Sequence, residues 1–172
     1  MLFITLKWNW VIPGAATLAL LVILKGKQAA GFLLVALATV ILNDWLTASV
    51  LKPLVGRPRP CEVLDFKTIA YACSHSFSFP SNHASNSFTL ATLFALWNRN
   101  TALLAFTLAL LVSFSRVYLG MHYPSDVLAG ALCGIVMGWL GYRVYRAVVV
   151  PRLLSSKRPP CPTPSVTFSS SN

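Results

Sequence analysis

The sequence predicts an all-α, polytopic transmembrane helical bundle of about five spans. Three observations predict it. First, 56% of the 172 residues are hydrophobic, 10% are charged and only four are acidic, whereas soluble domains carry about 25% charged residues. Second, the apolar residues fall into runs close to the ~20 residues that a ~30 Å bilayer core requires. Third, the basic residues behind the net charge of +10 are scattered between those runs. A nucleic-acid partner would call for a basic stripe on a soluble domain, so the pattern points away from one.

The elements follow in order. Residues 8–24 form the first predicted span, ending at the polar turn 25–28. It is read as retained, because its first residues are mostly apolar rather than basic and no A-x-A site precedes the turn. Residues 29–51 form the second span and end at Lys52-Pro53. The third covers 81–97 and ends at Asn98-Arg99-Asn100, the fourth covers 101–118, and the fifth 125–149. Residues 1–150 then make one transmembrane domain. Residues 151–172, rich in Pro and Ser with little to bury, are expected to form a disordered tail.

Five crossings place the N-terminus, the 52–80 loop and the 115–126 segment on one face. That face carries Lys7, Lys52, Arg57, Arg59, Lys67 and Arg116; the other carries Lys25, Lys27, Arg99, Arg143, Arg146, Arg152, Lys157 and Arg158. Setting aside the three cations assigned to a site below, the positive-inside rule puts the second face, with the C-terminus, in the cytoplasm. Cys61 and Cys73 fall in the outward loop, where oxidation is permitted; they either close a bridge or stay as free thiols. The four cysteines match no zinc spacing.

Gly130, Gly134 and Gly138 recur every four residues, with Gly141 following. Small residues so spaced let a helix approach closely, either within the bundle or across a homodimer seam, so the oligomeric state stays open. Trp8, Trp10, Trp97, Trp139, Tyr142 and Tyr145 sit near span ends and read as interfacial aromatics.

Three segments meet on the outward face: "KPLVGRPRP" with Lys52 and Arg59, "FPSNHASNSF" with Ser81, Asn82 and His83, and "SRVYLGMHYPSD" with Arg116, His122 and Asp126. Charge at bilayer depth costs about 2.5–3.5 kcal/mol on insertion scales, so three gathered cations call for a multiply charged anion. Arginine's planar fork suits phosphate oxygens. A helix beginning near Ser81 offers free N–H groups and a positive dipole end. His122 and Asp126 stand four residues apart, with Pro124 acceptable in a first helical turn. Asp126 can therefore accept the proton of one ring nitrogen and leave the other nucleophilic, while His83 supplies a proton to the leaving oxygen. Taken singly, each residue has a plainer reading. Span-end Lys and Arg snorkel to the interface, and Ser81 before a helix is an N-cap. The convergence of all three blocks favours the site.

The pattern K-x6-RP, PS-x-H and SR-x5-H-x3-D resembles the signature of the type-2 phosphatidic acid phosphatase family. That family also holds bacterial phosphatidylglycerophosphatase B, undecaprenyl-diphosphate phosphatases and lipid A phosphatases, and it shares its phosphate site with soluble vanadium haloperoxidases. The resemblance implies an integral membrane enzyme that hydrolyses a lipid phosphate without metal or other cofactor, through a phosphohistidine. Lys52, Arg59, Ser81, Asn82 and Arg116 would bind phosphate, His122 would be the nucleophile, Asp126 its orienter and His83 the general acid. The expected substrates are lipid A 1-phosphate or undecaprenyl diphosphate, with phosphatidylglycerol phosphate and phosphatidic acid also open. The expected setting is the periplasmic face of a bacterial inner membrane. Activity should be bell-shaped in pH, with His122 neutral and His83 protonated.

Two departures stand out. Asn82 occupies the usual glycine of PSGH, and five spans replace the six of many relatives. Asp44 is left over as an intramembrane carboxylate, read as a buried hydrogen-bonding group between helices or as a substrate contact. His75 reads as solvent-exposed. The rival readings are a non-catalytic lipid-phosphate binder or transporter, and a haloperoxidase-like oxidative enzyme, which the five spans disfavour.

Overall fold

The computed structural model describes residues 26–63, 73 and 76–155. The predicted first span (8–24), Lys67, His75 and the tail from 156 lie outside the described residues. Three candidate membrane spans occur among them: Lys27–Val63, Arg99–Tyr118 and Pro124–Arg152.

Helix α1 (Lys27–Trp45) passes through a π-helical turn (Leu46–Leu51) into α2 (Lys52–Val55). The predicted end at Lys52-Pro53 is therefore passed, for a local reason. A proline inside a helix lacks an N–H and clashes with the carbonyl four residues back. Here the preceding turn widens, so that Lys52 N–H reaches back five residues to Thr47 O. The same device recurs at the other end of the chain. α6 (Pro124–Val144) runs through a π-helical turn (Tyr145–Val149), with Val150 N–H bonded to Tyr145 O, into α7 (Val150–Ser155), which contains Pro151. Helix thus extends past residue 150, where the tail was expected to begin. Single widened turns of this kind are known ways to absorb such a kink.

Between these lie α3 (Pro60–Val63), α4 (Asn82–Trp97) and α5 (Ala102–Tyr118). α4 has 16 residues, about 24 Å at ~1.5 Å per residue, shorter than a bilayer core. It occupies the predicted third span but serves as the central helix, packed against α1, α5 and α6. Its buried Ser85, Thr89 and Thr92 suit close helix contact better than lipid.

The glycine stripe of α6 faces α4. A Cβ on Gly130 would lie 2.6 Å from Ser81 O, one on Gly138 2.7 Å from Thr89 O, and one on Gly134 would land on Ser85 O; Gly141 packs on Thr39 of α1. The stripe is used within the chain. Leu34, Leu37, Ile41, Leu103, Leu104, Leu110, Leu128, Leu132 and Val136 are exposed, as expected of a surface that faces lipid rather than water.

An aromatic cluster closes the end of the bundle opposite the three motif-bearing segments. Phe32, fully buried, stacks on Trp97 at 4.5 Å and meets Phe94 and Tyr145 edge-on at 5.4 Å. Trp97 and Tyr145 were expected at the lipid interface. The structure instead packs both into this cluster, with the Tyr145 hydroxyl donating to Gln28 O at 3.4 Å.

Candidate active site

The three segments singled out in the sequence meet at one end of the bundle. Two glycines with left-handed backbone turn the chain there. Gly56 (φ 62°) caps α2, with its N–H on Lys52 O at 2.9 Å, and lets the chain reverse before Arg59. Gly120 (φ 67°) follows α5 between Arg116 and His122. A side chain at either position would be strained.

Lys52, Arg59, Ser81, Arg116, His122 and Asp126 are all buried. Lys52 Nζ donates to Phe77 O at 2.6 Å. Arg59 donates through Nε to Ser76 O at 2.7 Å, through Nη2 to Ser76 Oγ at 2.8 Å, and through Nη1 to Met121 O at 3.1 Å. The Nη1 of Arg59 also stands 3.5 Å from His122 Nε2. Arg116, in the last turn of α5, is 5% exposed, and its Nε has no hydrogen-bond partner among the described residues. Three buried cations, Lys52 and Arg116 each within electrostatic range of Arg59 and one of the three incompletely bonded, make a site short of negative charge.

Ser81 is the N-cap of α4, its Oγ accepting from Ala84 N–H at 3.5 Å, while its own N–H donates to Asp126 O at 3.0 Å. That backbone bond ties the second motif to the third. Asp126 caps its own helix by accepting from Tyr123 N–H at 3.0 Å, with Pro124 in the first turn, as a helix start favours.

His122 and Asp126 are near each other but not directly hydrogen-bonded: Nδ1 to Oδ2 is 3.8 Å. Ser78 stands between them, 2.5 Å from Asp126 Oδ2 and 3.4 Å from His122 Nδ1. The expected direct contact is thus replaced by one relayed through a hydroxyl. Asp126 Oδ1 is taken by Arg57 Nη1 at 2.9 Å; that guanidinium also bonds Ser125 Oγ at 2.8 Å and lies 3.9 Å from the centre of the Tyr123 ring. Arg57, Ser76 and Ser78 were not singled out by sequence reasoning. Arg57 stood beside the motif arginine as a plain loop cation, and nothing in spacing marks a serine that reaches the site from an irregular segment.

His122 lies between the predicted spans, and its pKa is pushed from 6.5 down to about 3. Burial is the main cause, followed by the charges of Arg59 and Lys52; Asp126 and Ser78 oppose the shift. The imidazole is therefore neutral over the physiological range. Nε2 faces an arginine donor, so it carries the lone pair, and Nδ1 carries the proton toward Ser78 and Asp126.

His83, in the first turn of α4, is exposed. With Arg116 it lines a cleft of about 800 Å³ whose other walls are mainly apolar residues of α4 and α5. Asn82 turns away from the anion site, its Nδ2 donating to Asp44 Oδ1 at 3.0 Å. Asp44 is itself exposed rather than buried. Its link to Asn82 and Asn86 does bridge α1 and α4. Cys61 and Cys73 are joined by a disulfide with Cα atoms 6.0 Å apart, beside the Arg59–Ser76 contact.

Residues 29–149 match the family described as the PAP2 superfamily. The lipid A 4'-phosphatase of Porphyromonas gingivalis is 33% identical over 149 residues, covering 83% of this chain and 63% of that protein. The lipid A 4'-phosphatase of Bacteroides thetaiotaomicron is 38% identical over 123 residues, covering 67% of this chain and 55% of that protein. The chain thus spans less than two thirds of the length of these relatives. Among solved structures, Aquifex aeolicus LpxE matches with a TM-score of 0.62 and 26% identity, over 83% of this chain and 84% of that one. The PAP2-type phosphatidylglycerolphosphate phosphatase of Bacillus subtilis matches with a TM-score of 0.61 and 27% identity, over 81% and 71%. The match across all three site-bearing segments, on an all-helical membrane fold, shows that this chain belongs to the PAP2 superfamily.

Proposed function

We propose that this chain is an integral membrane phosphatase that removes a terminal phosphate from a lipid mono- or diphosphate through a phosphohistidine on His122. One observation carries the reading: His122 is buried and neutral, its Nδ1 directed to Ser78 and Asp126 and its Nε2 to Arg59. That is the tautomer and orientation a nucleophilic imidazole needs. Arg59, Lys52, Arg116 and the N–H groups opening α4 would hold the phosphoryl oxygens and stabilise charge developing on them. The donors of Arg59 and Lys52 now on carbonyls, and the free Nε of Arg116, are the groups that an anion would recruit.

In the first step Nε2 attacks phosphorus, the bond from phosphorus to the lipid oxygen breaks, and His83 gives that oxygen a proton. Developing positive charge on His122 is shared with Asp126 through Ser78. In the second step a water gives its proton to His83 and attacks phosphorus. The P–N bond breaks, and inorganic phosphate leaves. The cleft at His83 and Arg116 gives a lipid-borne phosphate a path to these groups.

Lipid A and undecaprenyl diphosphate are the leading substrate classes, the former supported by the names of the two relatives above. We place the site on the periplasmic face of a bacterial inner membrane with the C-terminus in the cytoplasm, supported by the loop charges and by a disulfide that an oxidising compartment would preserve. The test is release of inorganic phosphate by detergent-purified protein with EDTA present. Turnover of a lipid phosphate is expected. Binding without release from any of the four expected lipids would favour a non-catalytic carrier.

A further inference from the structure

One polar network in the bundle is not used by the mechanism. Ser85 Oγ donates to Asn43 Oδ1 at 2.9 Å, Asn43 Nδ2 to Asn86 Oδ1 at 2.6 Å, and Asn86 Nδ2 to Asp44 Oδ1 at 2.8 Å. Asn82 Nδ2 reaches the same oxygen at 3.0 Å. Every donor runs toward Asp44, so the chain of bonds has one polarity, and none of the three asparagines can flip without losing a bond. What remains at its end is acceptors only. Among the described residues, Asn82 Oδ1 is buried without a partner, and both amide donors to the exposed Asp44 carboxylate fall on its Oδ1. Lys52, two turns on and within electrostatic range of Asp44, has its Nζ on Phe77 O.

Such an arrangement is costly. A carboxylate within a candidate span is unfavourable, and so is a buried acceptor without a donor. A purely structural link between α1 and α4 needs neither loose end. The position says what would fill them. Asn82 follows the Ser81 N-cap, so the network begins at the phosphate site. Asn86, one turn inward, lines the cleft together with His83, Arg116 and, one turn before Asp44, Val40. A unit joined to a phosphate held by the cations would therefore lie near Asp44, which Asn86 joins to that lining.

We propose that Asp44, held by Asn82 and Asn86, is a specificity-determining residue: it accepts a hydrogen bond from a hydroxyl or N–H on the headgroup unit that carries the phosphate. This rests on the phosphatase reading and narrows its substrate class to phosphorylated polar units, such as an amino sugar, over a polyprenyl or fully esterified glycerol phosphate. A site built to bond a donor discriminates strongly against analogues that lack it.

The test compares kcat/KM of the wild type, Asp44→Asn and Asn82→Gly on lipid A and on phosphatidic acid, which has no donor beside its phosphate ester. Asp44→Asn keeps an oxygen for Asn82 and Asn86 but replaces Oδ2 with a donor, so the bundle should stay intact, as a melting temperature will show. The wild type should prefer lipid A. In Asp44→Asn, kcat/KM should fall about tenfold or more for lipid A and stay within about twofold for phosphatidic acid, with inhibition by vanadate unchanged; Asn82→Gly should shift the preference in the same direction. Equal losses on both lipids, weakened vanadate inhibition, or a wild-type preference for phosphatidic acid would overturn the proposal while leaving the phosphatase reading standing. A wild type inactive on every lipid would remove both.

Discussion

Among single residues, Ser78 is the one whose importance the geometry raises most. It is fully buried and is the hydrogen-bonding link between Asp126 and His122. Ser78→Ala leaves the Asp126 carboxylate 3.8 Å from the ring, with no relay to orient the ring or share its developing charge. We expect kcat to fall by about 10–100-fold with little change in KM, since groups acting in the transition state alone affect kcat. Steady-state kinetics will check this; a change confined to KM would contradict it. The depressed pKa of His122 also revises the pH dependence expected from sequence. His122 stays neutral as pH falls from 7 toward 4, so any acid limb it sets lies near its pKa of about 3 rather than in the ordinary histidine range. A pH–rate profile should show no loss from His122 protonation between pH 5 and 9.

The sequence made the residues in fixed spacing legible: Lys52, Arg59, Ser81, Arg116, His122 and Asp126 all arrive at one buried end of the bundle. It did not make Arg57 or Ser78 legible, because each is placed by tertiary geometry rather than by periodicity. Arg57 pairs with Asp126 across 69 positions, and Ser78 meets it across 48. No local rule links residues so far apart.

Among elements, the contact between α4 and α6 positions the site most directly, because both motif helices begin there. A Cβ at Gly134 would land on Ser85 O, so the two helices must separate to accept it. Gly134→Ala should destabilise the fold by about 1–3 kcal/mol, the usual range for overpacking, and should lower activity as Ser81 and Asp126 move apart. Thermal denaturation in detergent checks the first effect; an unchanged melting temperature would contradict the close approach. The Cys61–Cys73 bridge fixes the segment that carries Ser76 and Ser78 beside Arg59. Its removal by Cys61→Ser and Cys73→Ser should cost about 3 kcal/mol in the chain-entropy model. Alkylation without reductant should leave both thiols unmodified in the wild type. Element ends were harder to read than element existence. Pro53 and Pro151 looked like stops, yet a widened turn before each lets the helix continue. The glycine spacing left two partners open, and only packing distinguishes them.

At the scale of the whole molecule, folding buries a neutral His122 and gathers three cations, and both leave signatures in stability. Because the pKa of His122 is lower in the folded state, its contribution is complete above about 6.5, the unfolded value, and is lost as pH falls toward about 3. Stability should therefore decline on acidification through that window, and more steeply than in His122→Gln, where the unfolded chain no longer binds the extra proton. Anions should act in the opposite sense. Vanadate or phosphate at ~100 times its dissociation constant would stabilise the fold by about 2.7 kcal/mol through binding to the native state alone, and Arg59→Gln should abolish most of that gain. The fold class itself followed from composition and run length, which the lipid-facing leucines of α1, α5 and α6 explain. The central position of α4 did not, since a helix enclosed by others reads in sequence like a lipid-facing span.

The proposed mechanism requires His122 to attack phosphorus and to become phosphorylated itself. Rapid acid-free quenching of the purified protein during turnover of a ³²P-labelled lipid phosphate, followed by peptide mapping, tests it most directly. Acid-labile, base-stable label is expected on the peptide containing His122 and is expected to be absent in His122→Ala. Label at another residue, or full turnover by His122→Ala, would contradict it.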